Sequence, residues 1–526
     1  MCRDQNIEAK LMPPFQTARP LGTWPASHVL GIQQKCAFCA FVSENLSVEK
    51  DLVRSWMWWR AARIYVYCVL FDKEPGCRLR IEVGVFPYRL DPSTGLSTRV
   101  PMETQAFEPR GSLVSTRLLP VQAMAENPLP GASTQLSTPI TGRVLAATVD
   151  WRLVRGWLMH CHSHHSHHGR RDLFQGKTGS GVTSEAIPWA SCFRLIDVRN
   201  KCIIEATLLF RYAALSYVWG GCDPLRLTSR NKAQFTSPGG LEIGATLPKT
   251  FQDAMTVVQN LGIDYLWIDA LCIQDDDDKD LGHQINSMDK IYREAMITIV
   301  SLVPNAGCAM PGVGPDTRST SEIRFTGKSL DLMYTRPILD NVLGRSVWET
   351  RGWTLQEKFF SKRLLFFTPY QVYYQCPDAL WAEDCVLEPP GFQDVSDMMR
   401  MRSSDVAVEE PDIYAVPPES SNRPPPALGH NPWDEGDWTL ASFFVYEDLL
   451  TEYMKRSLTR DADILAAFSG ILNGLETWLG PSVFGMPERI FDIALLWYGK
   501  TIAERRPEFP SWSWCGWRFK QDRAIR

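Results

Sequence analysis

Six of the nine histidines of this chain fall in one short run, HCHSHHSHH at 160–168. Imidazole and thiolate are typical ligands of Zn²⁺, and the run holds six imidazoles and one thiol, Cys161. Cys36 and Cys39, in Cys36-Ala37-Phe38-Cys39, are two more soft donors that would complete a tetrahedral Zn²⁺ set with Cys161 and His165 or His168. The other reading of the same composition is a polar linker that picks up metal only adventitiously.

A second group of residues suits small-molecule chemistry. Ser216-Tyr217-Val218-Trp219-Gly220-Gly221 closes the apolar run AALSYVWG (213–220). That places a hydroxyl, flat rings and paired glycines at what reads as the carboxyl end of a parallel strand, where open α/β folds bind ligands. The glycines permit close backbone approach to a phosphate. Asp269 follows Trp267 and Ile268 in YLWIDALCI (265–273), and a carboxylate there must be paired, hydrogen-bonded or placed in a cleft at the strand's end. A hub that merely fixes loops would need the same bonds, and Trp219, Trp267 and Trp353 would serve equally as core or interdomain packing. Cys272 and His283 raise a Cys/His hydrolase, but no electropositive neighbour is evident to lower the thiol's pKa, and an inert buried cysteine is the plainer reading. Asp275 to Asp278 read as a solvated acidic loop. The late PSWSWCGW, taken as a strand, would put indoles on one face to dock the C-terminal helices onto the core.

These groups sit in a chain of 526 residues with 44% apolar, 11% aromatic and 22% charged side chains, enough for several packed units and incompatible with disorder throughout. Fifty-five Lys and Arg against 60 Asp and Glu give a formal charge of −5, which supplies no global basic surface for nucleic acid. The start, MCRDQNIEAK, lacks the layout of a secretory signal, and the Ile64–Phe71 run is far short of the roughly 20 residues of a membrane helix. The expectations are a cytoplasmic protein, no membrane span, and 14 cysteines kept mostly as buried thiols.

Residues 1–150 show one strand-like alternation, Leu79 to Tyr88, amid recurring Pro and Gly, and read as an irregular N-terminal region. Residues 151–204 read as a His-rich linker. From 205 to 385, β-rich apolar runs alternate with helical patterns, which predicts an α/β domain with a parallel sheet flanked by helices. Its clearest helix, FQDAMTVVQNLG (251–262), has Pro248 near its start and Gly262 as a stop. The Pro-rich stretch 386–434 predicts an exposed loop, and 435–526 a helical, Trp-rich C-terminal region.

Four ordered blocks carry a family resemblance: RYAALSYVWGG (211–221), LPKTFQDAMTVVQNLGIDYLWIDALCIQDD (247–276), MDKIYREAMITIVSL (288–302) and RGWTLQEKFFSKRLLFFT (351–368). Together they resemble the fungal heterokaryon-incompatibility (HET) domain. RLIDV (194–198), SLTRDADILAAFSGI (457–471) and FPSWSW (509–514) resemble the flanks of full-length members. Leu281 departs from the pattern, standing where many members have Trp. Cys161-x₃-His165-x₂-His168 also resembles a Cys-x₃-His-x₂-Cys element found just upstream of the domain in this family.

The resemblance implies an intracellular cell-death effector in self/non-self recognition, with a TIR-like, flavodoxin-type fold, that self-associates in response to a protein partner it does not identify. Several TIR domains cleave NAD⁺, and their glutamate sits in a Trp-containing segment at a helix start. RGWTLQE is the closest match, which implies Glu357 as the catalytic residue and NAD as substrate, with no cofactor required. Breaking the nicotinamide–ribose bond builds oxocarbenium character, so such a site needs a carboxylate near the ribose and flat walls that exclude water. Ser216, Trp219, Gly220, Asp269, Arg351 and Trp353 are the candidate ligand-binding residues. The alternative is a non-enzymatic oligomerising adaptor, in which Glu357 would be an exposed or helix-capping carboxylate paired with Arg351 or Lys358.

Overall fold

Short apolar runs build the centre of the molecule. The computed structural model describes residues 141–165, 192–206, 210–221, 225–242, 247–320, 324–326, 331–334, 336–337, 339–386, 388, 438–498 and 503–519, and the backbone of five strands before residue 121. One sheet holds β1 (Arg194–Asp197), β2 (Cys202–Glu205), β3 (Tyr212–Ser216), β4 (Tyr265–Trp267), β5 (Ile297–Ser301), β6 (Leu364–Phe367), β7 (Val372–Gln375) and β8 (Leu380–Ala382), in the spatial order β8-β7-β6-β5-β3-β4-β1-β2.

The inner strands β4, β3, β5 and β6 are parallel. Every residue of β3, β5 and β6 is buried, as befits strands covered on both faces, and this is why they read as continuous apolar runs. The sheet is mixed, however, because β1–β2 and β7–β8 run antiparallel at its two margins. In chain order the four parallel strands lie 2-1-3-4, so the winding reverses between β3 and β5, the place in such sheets where ligands of open α/β folds usually bind. Side chains alternate between the faces: Leu365 and Phe367 join the main core, Leu364 and Phe366 a smaller one that contains Trp348.

The flanking helices are α1 (Trp151–His164), α2 (Lys249–Leu261), α3 (Asp278–Ile285), α4 (Met288–Glu294), α5 (Trp353–Phe360), α6 (Trp438–Met454) and α7 (Ala466–Leu479). Helix α2 begins after Pro248 and ends at Gly262, whose φ of 75° is the left-handed cap that glycine adopts without strain. The main core continues without a break into Tyr446, Tyr453, Phe468 and Ile471 of α6 and α7, and α7 packs on α4 and α5.

Several segments differ from the sequence pattern. Residues 151–164 are a helix rather than a linker: Asp150 caps it, and Val154, Trp157, Leu158 and Cys161 form its buried face. The polar histidines hid that stripe. Within residues 1–150, strands Arg19–Pro25, Ala62–Phe71, Arg78–Leu90, Ser97–Arg99 and Thr116–Pro120 pair antiparallel in a second sheet that also takes in Asp331–Tyr334 and Arg324–Thr326. Only Arg78–Leu90 alternates clearly in sequence, so the other strands were invisible to a period-two search. Beyond Leu479 the C-terminal region has only short elements: strand pairs Ser482–Val483 with Met486–Pro487 and Ala503–Arg505 with Trp517–Phe519, and between them the helical turns Glu488–Ile490 and Phe491–Ala494. Trp514 opens a 3₁₀ turn rather than a strand, and its indole is buried against Tyr453 and Phe468 inside the C-terminal unit. Residues 389–437, nearly all of the expected Pro-rich loop, lie outside the described residues.

Candidate functional site

Ser216 is the last residue of β3 and is 1% exposed, so its hydroxyl must find partners inside the protein. It accepts the Trp348 indole N–H at 2.7 Å and donates to the Glu357 carboxylate. Glu357 lies one turn into α5 and is buried. It is therefore neither a surface carboxylate nor the partner of Lys358, which pairs with Glu349 at 3.2 Å. Burial pushes the Glu357 carboxyl up to about 7; the Ser216 hydrogen bond and the Arg351 charge oppose the rise, and the Asp269 charge adds to it.

Asp269 begins a single helical turn after β4, at the next parallel strand's carboxyl end. Its two oxygens accept the Tyr217 hydroxyl at 2.8 Å and the Trp219 indole N–H at 3.0 Å, and Oδ1 also accepts the Ala270 N–H at 2.7 Å. Burial raises this carboxyl as well, while Tyr217, the Ala270 N–H, Arg351 and Trp219 hold it down. The Tyr217 and Trp219 rings lie nearly parallel, and the Arg226 guanidinium sits 4.7 Å over the Trp219 ring. Arg351 reaches the same place by donating to the Tyr217 carbonyl at 2.5 Å. The Tyr292 hydroxyl of α4 donates to the Leu215 carbonyl at 3.2 Å and adds a further polar group beside Glu357.

The segment that carries Arg351 and leads into α5 is held from the C-terminal side. Gly352 N–H donates to the Ser457 carbonyl at 2.8 Å and Ser457 N–H to the Thr350 carbonyl at 2.6 Å. Arg456 adds bonds to the Arg351 carbonyl at 3.2 Å, the Thr354 hydroxyl at 2.9 Å and the Glu349 carboxylate at 2.5 Å.

Of the residues expected at the site, Ser216, Trp219, Asp269, Arg351 and Glu357 converge at the carboxyl end of the parallel strands. Gly220 adjoins them with φ 67°, but the backbone that comes close to it is the protein's own: a Cβ there would lie 2.2 Å from Asn305 Cβ in the loop after β5. Trp353 is half-buried and packs against the main core, so the indole beside Ser216 is Trp348. Sequence reasoning missed Trp348, Tyr217 and Tyr292, all ordinary core aromatics by type. Cys272 is buried and pushed up to about 12 by burial, which removes the Cys/His hydrolase. Asp275 pairs with Arg226, Asp276 takes the Ser229 N–H and hydroxyl, and Asp277 caps α3, so the acidic run is occupied in holding loops.

Of the expected metal ligands, Cys161 and His165 come together; Cys36, Cys39 and His168 lie outside the described residues. The third group beside them is Cys376, which the sequence reading passed over.

The polar cluster offers a carboxyl poised near neutrality, a second carboxylate that fixes two aromatic rings, and one guanidinium touching both by charge. Such a set can stabilise a developing cation and exchange a proton with water. Residues 212–357 match the family model described as Heterokaryon incompatibility protein (HET), a stretch that runs from the first residue of β3 to the buried glutamate. No curated protein and no solved structure matches the chain. Strands β3 to β5, the Asp269 turn and the Glu357 segment thus lie within one stretch, residues 212–357, that is similar to the HET domain.

Proposed function

We propose that this protein is a cytoplasmic effector of regulated cell death in fungal self/non-self recognition, with a TIR-like core that hydrolyses NAD⁺ on self-association. The observation that carries this reading is the hydrogen bond between Ser216 and a buried Glu357 whose carboxyl titrates near 7, set at the carboxyl ends of parallel strands where the winding reverses.

In this reading the C1′–N bond to nicotinamide breaks with its electron pair leaving on the neutral nicotinamide. The cationic character left on the ribose is met by the Glu357 carboxylate, and Asp269 adds negative charge behind Tyr217 and Trp219. Water then bonds to C1′ and its proton passes to Glu357, giving ADP-ribose, nicotinamide and one proton. Trp219 supplies a flat wall, Arg351 balances the paired carboxylates, and Ser216 orients Glu357.

The adaptor reading, which expected an exposed Glu357, stands in a different form. At 8% exposure, Glu357 is bonded to Ser216 beneath Trp348, and that arrangement would equally serve to hold α5 on the sheet of a non-enzymatic oligomerising module. Concentrated full-length protein incubated with NAD⁺ and scored for nicotinamide, beside Glu357→Gln, separates the two. Turnover lost in the variant supports the glycohydrolase. Folded, assembled protein with no turnover supports the adaptor.

A further inference from the structure

Cys161 lies on the buried face of α1, and His165 is the residue that caps the same helix one turn later. Cys376 directly follows β7, near the margin of the central sheet. The Sγ of Cys161, a ring nitrogen of His165 and the Sγ of Cys376 all lie within 4.8 Å of one another, although His165 and Cys376 are 211 residues apart.

Cys376 Sγ is 3.3 Å from His165 Nδ1. Donors around a tetrahedral zinc, with bonds of about 2.0–2.3 Å, stand about 3.5 Å apart, so this pair already has ligand spacing. The Arg363 Nε–H donates to Cys161 Sγ at 3.3 Å, an outer contact that fixes the direction of the sulfur. Aromatic rings wall the cluster: Trp381 lies 5.6 Å from His165, 5.3 Å from Tyr374 and 6.3 Å from Trp157 between ring centres. Two sulfurs and an imidazole, half screened from water, select Zn²⁺ over oxygen-seeking cations.

We propose that Cys161, His165 and Cys376 are ligands of a structural Zn²⁺ ion that fastens α1 to the β7 margin of the central sheet. The site is separate from the Ser216–Glu357 cluster and stands whether or not that cluster is catalytic. Because its ligands come together only in the folded chain, metal binding adds directly to folding stability.

The test uses full-length protein purified without chelators and under reduction. Elemental analysis is expected to give about one zinc per chain, falling below about 0.2 in Cys161→Ser and Cys376→Ser and staying near one in His162→Gln, which alters the histidine run but no ligand. Cys376→His keeps a ligand at the position and retains the metal, which covers the case in which the serine variants fail to fold. Cobalt-substituted wild type is expected to show a thiolate-to-metal charge-transfer band that Cys376→Ser lacks. Three results would overturn the proposal: folded wild type with zinc far below one equivalent, zinc held at the wild-type level by the Cys161/Cys376 double serine variant, or a Cys161–Cys376 disulfide in protein kept reduced throughout purification.

Discussion

Ser216 and Glu357, 141 residues apart in the chain, are joined by a hydrogen bond that ties the end of an inner strand to the helix packed over it. Ser216→Ala removes this donor and leaves the Trp348 N–H without its acceptor. The expected loss of stability is about 1–3 kcal/mol, read by denaturant titration. Because the bond holds the Glu357 pKa down, the same variant should shift that titration to higher pH; an unchanged titration would show that the two groups are not coupled.

Glu357 also sets a pH signature. Its carboxyl is at about 7 in the folded chain against 4.5 ordinarily, so the folded state binds the proton more tightly. Its contribution to stability is full below about 4.5, falls as pH rises toward 7, and levels off above, with an upper size of about 3 kcal/mol. Glu357→Gln should abolish that component and be the more tolerant protein at pH 8. Parallel stability profiles for wild type and variant from pH 5 to 8 would contradict the raised pKa.

Asp269→Ala leaves two donors without their acceptor, the hydroxyl of buried Tyr217 and the N–H of half-buried Trp219. A cost of about 2–4 kcal/mol is expected, with a change in tryptophan emission as the Trp219 ring loses its anchor. A stability change under about 0.5 kcal/mol would mean that water replaces the carboxylate without penalty.

The adjacent glycines should behave oppositely. Gly220→Ala meets both a φ of 67° and the Asn305 side chain, whereas nothing lies within 4 Å of a Cβ at Gly221. The first is expected to cost over about 2 kcal/mol and the second to be nearly neutral. Thermal melts of the two variants check this, and equal Tm values would refute the packing explanation.

Arg456→Ala cuts the bonds that hold the segment before α5 from outside the HET match. Faster amide exchange across residues 348–358, with β3 and β5 unchanged, is the expected pattern. Uniform exchange throughout would place the effect on global stability instead.

The sequence made the inner strands legible because burial on both faces leaves runs such as YAALS and ITIVS with almost nothing polar in them. Helix α2 was legible for a different reason, its Pro and Gly boundaries. The margin strands were harder: β7 and β8 are short, and their antiparallel pairing depends on partners that no local pattern names. At the site, Ser216 and Asp269 stood out as polar residues at the ends of apolar runs, whereas Glu357 was reached through the resemblance of RGWTLQE. Trp348 and Tyr292 did not, since a core aromatic and a hydrogen-bonding aromatic are the same letter. Cys376 was invisible for the same reason that makes it interesting, because its neighbours lie some two hundred residues upstream.

The family match ends at Glu357, yet β6 starts at Leu364 and lies between β5 and β7. Ser457, farther still, supplies backbone bonds to the strip in front of α5. A polypeptide trimmed to the matched stretch would stop partway along a helix, lack an interior strand and leave the backbone edge of Ile297–Ser301 unpaired. Recombinant work on this protein should therefore cut outside Val149 and Cys515, since the main core reaches both of these residues and the recognisable part is only its middle.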